Sequence, residues 1–376
     1  MSEPDVIGWD VGGAHVKACL LQRGEVVDVA QWACPLWQGM EQLAPVLQAA
    51  RERWPRLVAA QHAVTMTGEM VDLFAHREDG VRRIATQLSE SLATRSAAGL
   101  PDPVLFFAGD AGWCRGADVA THWDAIASAN WLATARHAAL HFSAGSGQGL
   151  LVDIGSTTTD LIAFEAGRVL TTSRTDAQRL ASGELVYHGV VRTPLCALAQ
   201  RIDWRGTAHN VMNEFFASAA DVYRLTGELN PAHDLYPSAD SAPKHLPATR
   251  QRLARMIGLD QREAAADDWL AFARSWRAAQ VAELAGQMRR VIEAHGLGPD
   301  AWVVSAGCGD FLVPDVLVQA MAGTTRPAPA HRLVAYGNDV ARVAAHASAG
   351  RRTIQAWAQV CAPCVAVATL FDRDHR

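Results

Sequence analysis

The sequence predicts an α/β protein built from two similar halves around a central cleft. Three observations carry that prediction. The stretch Val152–Asp160 is an apolar strand that delivers Asp153 into Gly155, four hydroxyl residues and Asp160. The stretch Val6–Lys17 has the same grammar: an apolar strand, Asp10, the pair Gly12–Gly13, then His15 and Lys17. A third apolar run, Trp302–Ser305, ends in Ala306-Gly307-Cys308-Gly309-Asp310. Each turn falls at the carboxyl end of its strand, where ligands bind in open α/β sheets. Glycine in such a turn lets backbone N–H groups approach phosphate oxygens, and the hydroxyls add donors. Asp153 repels a phosphate, so it reads as a carboxylate that organises magnesium, directly or through water. Two copies of one hairpin imply internal duplication.

The chain order supports this. Residues 5–11 read as a strand, Lys17–Leu21 as its hairpin partner and Val26–Trp32 as a third strand. Apolar residues spaced on one face predict a helix within Gly39–Trp54, with Pro45 near its start and Pro55 ending it. Ala60–Met66 is a strand that runs into Thr67-Gly68-Glu69. A helix follows from Asp79 to about Ala93, then the strand Val104–Ala108 with the turn Gly109–Trp113. Trp123–His141 reads as one helix. Phe142–Gly149 reads as a loop and a domain boundary. The second half restarts at Leu150–Ile154, with further strands at Asp160–Glu165, Val169–Thr172 and Tyr187–Val191. A mostly helical insertion is expected over about 207–268, with a helix at Met212–Arg224, as a lid, a substrate wall or a packing appendage. Trp269–His295 is one long helix. Helices are expected at Pro314–Met321, Val340–Ala349 and Thr353–Leu370. The domains expected are 1–145, 146–335 with its insertion, and C-terminal helices 336–376 that return to the first domain.

Composition narrows the function. At 376 residues the chain is long enough for two domains with real cores. A net charge of −5 and the lack of a long basic run argue against a nucleic-acid binder. The amino terminus has no basic segment leading into an apolar one, and the longest apolar stretches are too short to span a bilayer. A cytoplasmic protein that binds no membrane is the expectation. Of the seven cysteines only Cys361 and Cys364 have recognisable spacing, and a zinc site needs two more ligands. A helical surface or core role is expected for them, with metal or redox work as the alternative. Among 34 basic residues, only Lys17 and Lys244 are lysines. A lysine that persists against such a bias suits a compact point charge rather than a planar fork.

The order and spacing of the three turns resemble the actin-like ATPase and sugar kinase superfamily. Finer stretches are Gly8–Lys17, Thr65–Phe74, Gly80-Val81, Asp153–Asp160, Arg192-Thr193-Pro194, Glu214–Ala217, Ala219–Tyr223 and Ala306–Gly309. Across essentially the whole chain they resemble the tetrahydromethanopterin-linked one-carbon transfer pathway proteins. That family is hydantoinase/oxoprolinase-like, and its archaeal relatives are similar to the synthase of methanofuran biosynthesis. The resemblance implies a transferase that joins an aminomethylfuran-methyl diphosphate to the phenol of γ-glutamyltyramine and releases diphosphate. For a bacterial member it implies service to methylofuran and formaldehyde oxidation. It also implies that Gly307 and Gly309 sit where the superfamily meets adenosine. The turn Gly307–Asp310 is short for that purpose, which weakens ATP as the ligand.

The chemistry assigns expected roles. Asp10 and Asp153 organise Mg2+, Lys17 contacts the diphosphate, and Gly12, Gly13, Gly155, Ser156, Thr157 and Thr158 donate to phosphate. Thr67 and Glu69 are expected near the ligand, with Glu69 a candidate base for a phenol whose ordinary pKa is about 10. Asp110 and Asp160 are further carboxylates for metal or proton work, Arg192 a partner for phosphate or a glutamyl carboxylate, and His15 a proton carrier. For each, an ordinary structural role as cap, turn or ion pair stands beside the functional one. The competing functional reading is an ATP-dependent small-molecule kinase or hydantoinase/oxoprolinase-type ATPase, with ATP as ligand. A nucleotide-gated scaffold is the non-catalytic reading. Self-association stays open.

Overall fold

The computed structural model describes residues 4–92, 103–144, 147–322, 332–347 and 349–376. The boundary expected at 145–146 and the helix end expected at Ala93 lie outside the described residues. The chain divides into two compact units. One is Met1–Gly147 with Phe164–Val169 and Val334–Arg376, and the other is Gln148–Ala163 with Leu170–Leu333.

The first unit opens with an antiparallel meander of β1 (Val6–Val11), β2 (His15–Gln22) and β3 (Glu25–Ala33). Helix α1 (Leu43–Arg53) leads to β4 (Gln61–Met66), parallel to β1, and α2 (Arg77–Leu92) leads to β5 (Val104–Phe107), parallel to β4. β6 (Trp113–Arg115) closes the order β3-β2-β1-β4-β5-β6. β1 is buried along its whole length, as its unbroken apolar run requires of a strand covered on both faces. Helices α3 (Trp123–Ile126) and α4 (Asn130–His141) follow.

The second sheet, which lies mostly in the second unit, repeats the plan. β7 (Gln148–Ile154) and β8 (Thr159–Glu165) form the hairpin, and β9 (Arg168–Val169) returns along β8. Beyond α5 (Asp176–Ser182), β10 (Leu185–Val186) shares the outer edge of β8. Next come α6 (Leu195–Leu198), the hairpin β11 (Arg201–Trp204) and β12 (Thr207–Asn210), α7 (Ala219–Thr226), α8 (Leu246–Arg255) and α9 (Ala266–Ala294). β13 (Trp302–Ala306) runs parallel to β7. With α10 (Val313–Met321) and β14 (Leu333–Ala335) the sheet reads β10-β8-β7-β13-β14. With β9 and the separate β11–β12 hairpin left out of the numbering, both sheets contain the strand order 3-2-1-4-5. The core of this unit centres on α9, where Trp269, Phe272 and Trp276 are buried and Trp204 stacks on Trp269 at 4.6 Å.

The chain ends in α11 (Arg351–Val360) and α12 (Ala362–Asp374). α12 lies on β1 so closely that a Cβ on Gly8 would sit 2.1 Å from the Cys364 carbonyl oxygen. Cys361 and Cys364 are buried in this packing, and the Cys364 thiol donates to the Cys361 carbonyl at 3.1 Å. Among the described residues no single helix is long and apolar enough to cross a membrane.

Several predicted elements differ. The helix expected over Trp123–His141 breaks at Ser128, whose φ of +51° no helix accepts. The one expected over Thr353–Leu370 is two helices bent by 99°, with Pro363 in the first turn of the second, where a missing N–H costs nothing. Tyr336–Val340 forms a wide π-type turn in place of the Val340 helix, and the segment beyond it pairs with β3 through Val26. Tyr187–Val191 is not a strand, and Met212–Arg224 becomes helical only from Ala219, after the Ser218–Asp221 capping box. The insertion begins with an unpredicted hairpin whose Arg205–Gly206 turn has φ values of +52° and +78°, the geometry two-residue hairpins favour.

Two buried histidines make the first unit acid-sensitive. His62 accepts from Trp9 Nε1 at 3.1 Å, and burial lowers its pKa to about 4. His137 Nδ1 lies 2.6 Å from the Tyr336 hydroxyl, and burial, reinforced by His141, lowers its pKa to about 4. Both are neutral in the fold and protonate in the unfolded chain near pH 6.5. The stability they contribute is therefore complete above pH 6.5 and is lost as pH falls through 4, at about 3 kcal/mol for each site at the acid limit. The urea midpoint is expected to fall over this window, with a shallower fall in His62→Gln; a midpoint constant from pH 6.5 to 4 would contradict it.

Candidate phosphate-binding hairpins

The two hairpins superpose in their hydrogen bonds as well as in their residues. Gly12 N–H donates to His15 C=O at 2.9 Å, and Gly155 N–H donates to Thr158 C=O at 2.8 Å. The last strand carbonyl before each glycine accepts from the neighbouring loop: Val11 from Thr67 N–H at 2.9 Å, and Ile154 from Gly309 N–H at 2.8 Å. The next turn carbonyl is also held, Gly13 by Leu36 N–H at 3.1 Å and Ser156 by Arg192 N–H at 2.8 Å. The carbonyl side of each turn is thus fixed by its own unit.

In the first hairpin Asp10 is buried, and Lys17 stands opposite it across the β1–β2 ladder, with Nζ 3.7 Å from Oδ2. His15 is buried. Gly13 is pressed against Val71, whose Cγ1 would be 2.6 Å from an added Cβ, and Thr67 Oγ1 lies beside Gly12. So Gly12, Gly13, Asp10, Lys17 and Thr67 come together. Glu69 does not join them as an open base. Its carboxylate is enclosed, with Oε1 accepting from Ser128 Oγ at 2.8 Å and Arg77 at 3.1 Å. Burial raises its pKa and Arg77 opposes the rise. It ties the turn after β4 to the break between α3 and α4. Asp110 is also away from this cluster, in an ion pair with Arg136.

In the second hairpin Asp153 is half-buried and Gly155, Ser156, Thr157 and Thr158 are partly accessible. Asp160 occupies the place that Lys17 has in the first, and it pairs with the buried Arg179. This half therefore carries no hairpin cation. Gly307 has a φ of +86°, and a Cβ there would meet Ile154 O at 2.2 Å and Asp153 Oδ1 at 2.5 Å. Gly309 is seated against Ile154 and Val190. Packing on β7 thus requires small residues at Gly307 and Gly309, the two glycines that the sequence reading placed among the substrate- or phosphate-binding candidates.

A support behind this turn was not visible in the sequence. Gly189 approaches so closely that an added Cβ would lie 2.4 Å from Ser156 C and Thr157 N. Thr193 Oγ1 accepts from Gly189 N–H at 2.8 Å, and Gln280 Nε2 donates to Gly189 C=O at 3.1 Å. Gln280 is held in turn by the Tyr223 hydroxyl at 2.8 Å. Gln280 lies mid-way along α9 among core residues, and only its polarity on a buried face marked it.

The duplicated strand order and the paired Asp–Gly hairpins define an actin-like ATPase and sugar kinase type of α/β fold. The nucleotide-free structure of an ATP-dependent acetone carboxylase shares the fold, with a TM-score of 0.52 at 11% identity, covering 86% of this chain and 67% of that one. Within this fold class, the chain belongs to the hydantoinase/oxoprolinase family, which it matches over residues 61–347. A (4-{4-[2-(gamma-L-glutamylamino)ethyl]phenoxymethyl}furan-2-yl)methanamine synthase from Methanocaldococcus jannaschii is 25% identical over 312 residues, 83% of this chain and 88% of the relative. A synthase of the same name from Methanococcus vannielii is 29% identical over 168 residues, 45% of this chain and 74% of that protein.

Proposed function

We propose that the chain is a biosynthetic transferase that joins a furan-methyl diphosphate to the phenol of a glutamyltyramine-like acceptor. The observation that carries this reading is the likeness, over 83% of the chain, to a synthase whose named product contains a phenoxymethyl-furan ether. The paired hairpins supply the chemistry. The carbon–oxygen bond to diphosphate breaks and its electron pair leaves on the diphosphate. The phenol oxygen supplies the pair for the new carbon–oxygen bond and loses its proton to solvent or a carboxylate. Developing charge sits on the leaving group, so preorganised donors and cations there lower the barrier.

In the first unit Lys17 and the Gly12–Gly13 turn suit diphosphate charge, and in the second the Gly155–Thr158 turn offers donors of the same kind. Mg2+ takes one or two carboxylates and completes its shell with water and phosphate. One aspartate at each hairpin fits that donor set. Among the described residues no group of three or more His, Cys, Asp or Glu side chains could hold a metal alone. Asp10 in its hairpin and Asp153 in its own are each a carboxylate that would hold an ion, which would neutralise and orient the leaving diphosphate. Glu69 and Asp160 are committed to Arg77 and Arg179 and serve as structural partners in this scheme.

The test is incubation with Mg2+, furfuryl diphosphate and a tyramine derivative. One ether by mass for each diphosphate released is the expected result. ADP formed from MgATP, with no ether from the diphosphate, would move the protein to the ATPase reading.

A further inference from the structure

The second unit holds a cavity of about 320 Å³ directly beside its hairpin, lined by residues that include Arg192, Pro194, Phe215, Arg224, Asp234 and Tyr236. It lies within the size range of small-molecule sites. Its inner edge is continuous with the phosphate turn, since Val191 and Arg192 N–H both donate to Ser156 C=O, at 3.1 and 2.8 Å. Two stretches apart in sequence build one wall. Leu195 N–H donates to Ala217 C=O at 3.1 Å, Ala219 N–H to Thr193 C=O at 2.8 Å, and Ala220 N–H to Val191 C=O at 3.2 Å. The first N–H groups of α7 are therefore engaged within the wall, and attraction for an anion must come from side chains.

Those side chains favour an aromatic ring that carries a carboxylate. Phe215 is 54% exposed on the cavity, and the Arg192 guanidinium lies 5.9 Å from the centre of the Tyr236 ring. The acidic lining residue, Asp234, is already neutralised by Arg224 at 2.7 Å and Lys244 at 3.0 Å. Asp221, Arg252 and Asp240 extend this network into α8 and the loop before it, with Arg252 fully buried 2.7 Å from Asp221. The insertion is thereby fixed as a wall of the unit. An exposed aromatic face, a second ring under a cation and a neutralised carboxylate suit a planar ring with a negative tail.

We infer that this cavity is the acceptor subsite, seating the phenolic ring against Phe215 and Tyr236 and a carboxylate tail on Arg192. The inference rests on the proposed transferase reading, and it adds the place and the recognition chemistry of the acceptor.

Calorimetric titration of the full chain tests it, with γ-glutamyltyramine, tyramine and Mg2+-pyrophosphate as separate probes. The native protein is expected to bind γ-glutamyltyramine about tenfold more tightly than tyramine, the weight of one charged hydrogen bond. Arg192→Ala should erase that difference. Phe215→Ala, an exposed truncation that leaves the core intact, should weaken both amines, and pyrophosphate affinity should hold in both variants. Unchanged γ-glutamyltyramine affinity in both variants would overturn the inference, as would an equal loss of pyrophosphate binding. Pyrophosphate binding without any binding of the amines would overturn the subsite and leave the transferase reading standing. The expected amine pattern without pyrophosphate binding would support the subsite and overturn the diphosphate reading.

Discussion

Asp153→Asn is expected to lower kcat/KM for ether formation on the order of a thousandfold while the fold persists. The substitution preserves the shape of the side chain, removes its charge and turns one acceptor oxygen into an amide donor. Asp153 is half-buried at the end of β7, and the amide fills the same space, so the fold is expected to persist. What is lost is the carboxylate that would hold Mg2+ beside the Gly155–Thr158 turn. Two measurements separate this from simple damage to the turn. Mg2+ should raise the affinity of the native protein for pyrophosphate and have little effect in the variant. The thermal midpoint without ligands should match the native one. Full activity at saturating Mg2+ would remove Asp153 from the mechanism. Asp10→Asn is the less discriminating companion, because Asp10 is buried with Lys17 at 3.7 Å. Removing one member of such a pair leaves the other charge uncompensated and destabilises the fold as well.

Both hairpins were legible in the sequence because their signal is local. A buried strand, an aspartate and a glycine turn occupy about ten consecutive residues, and each half repeats them. What was not legible depends on contacts between distant residues. Glu69 sits two residues from a turn that does meet the hairpin, so the sequence placed it at the ligand. Its side chain instead points to Ser128, and Ser128 is available because its left-handed backbone breaks the predicted Trp123–His141 helix. Asp160 resembled a second functional carboxylate until Arg179, nineteen residues later, closed on it. The wall that joins Arg192–Pro194 to Ala217–Ala220 uses backbone bonds, which leave no mark in side-chain pattern.

Gly189→Ala carries the argument about the second turn to its sharpest test. The added methyl would lie 2.4 Å from two backbone atoms of the turn and 2.6 Å from Gly155 O. Backbone cannot rotate away as a side-chain end can, so the turn itself must move. Overpacking of this kind costs about 1–3 kcal/mol, and a displacement near 1 Å at a binding group costs roughly a hundredfold in rate. Gln280 and Thr193 hold Gly189 from the other side, so the strain has no easy outlet into α9. The expected result is a hundredfold loss of kcat/KM, a lower thermal midpoint and weaker pyrophosphate binding together. Gly286→Ala on α9 is the control, because a Cβ there meets nothing within 4 Å. Replacing a helical glycine by alanine should instead add roughly 0.5–1 kcal/mol of stability and leave activity alone. Native-like turnover in Gly189→Ala would show that the close backbone approach behind Ser156 and Thr157 does not set the geometry of the site.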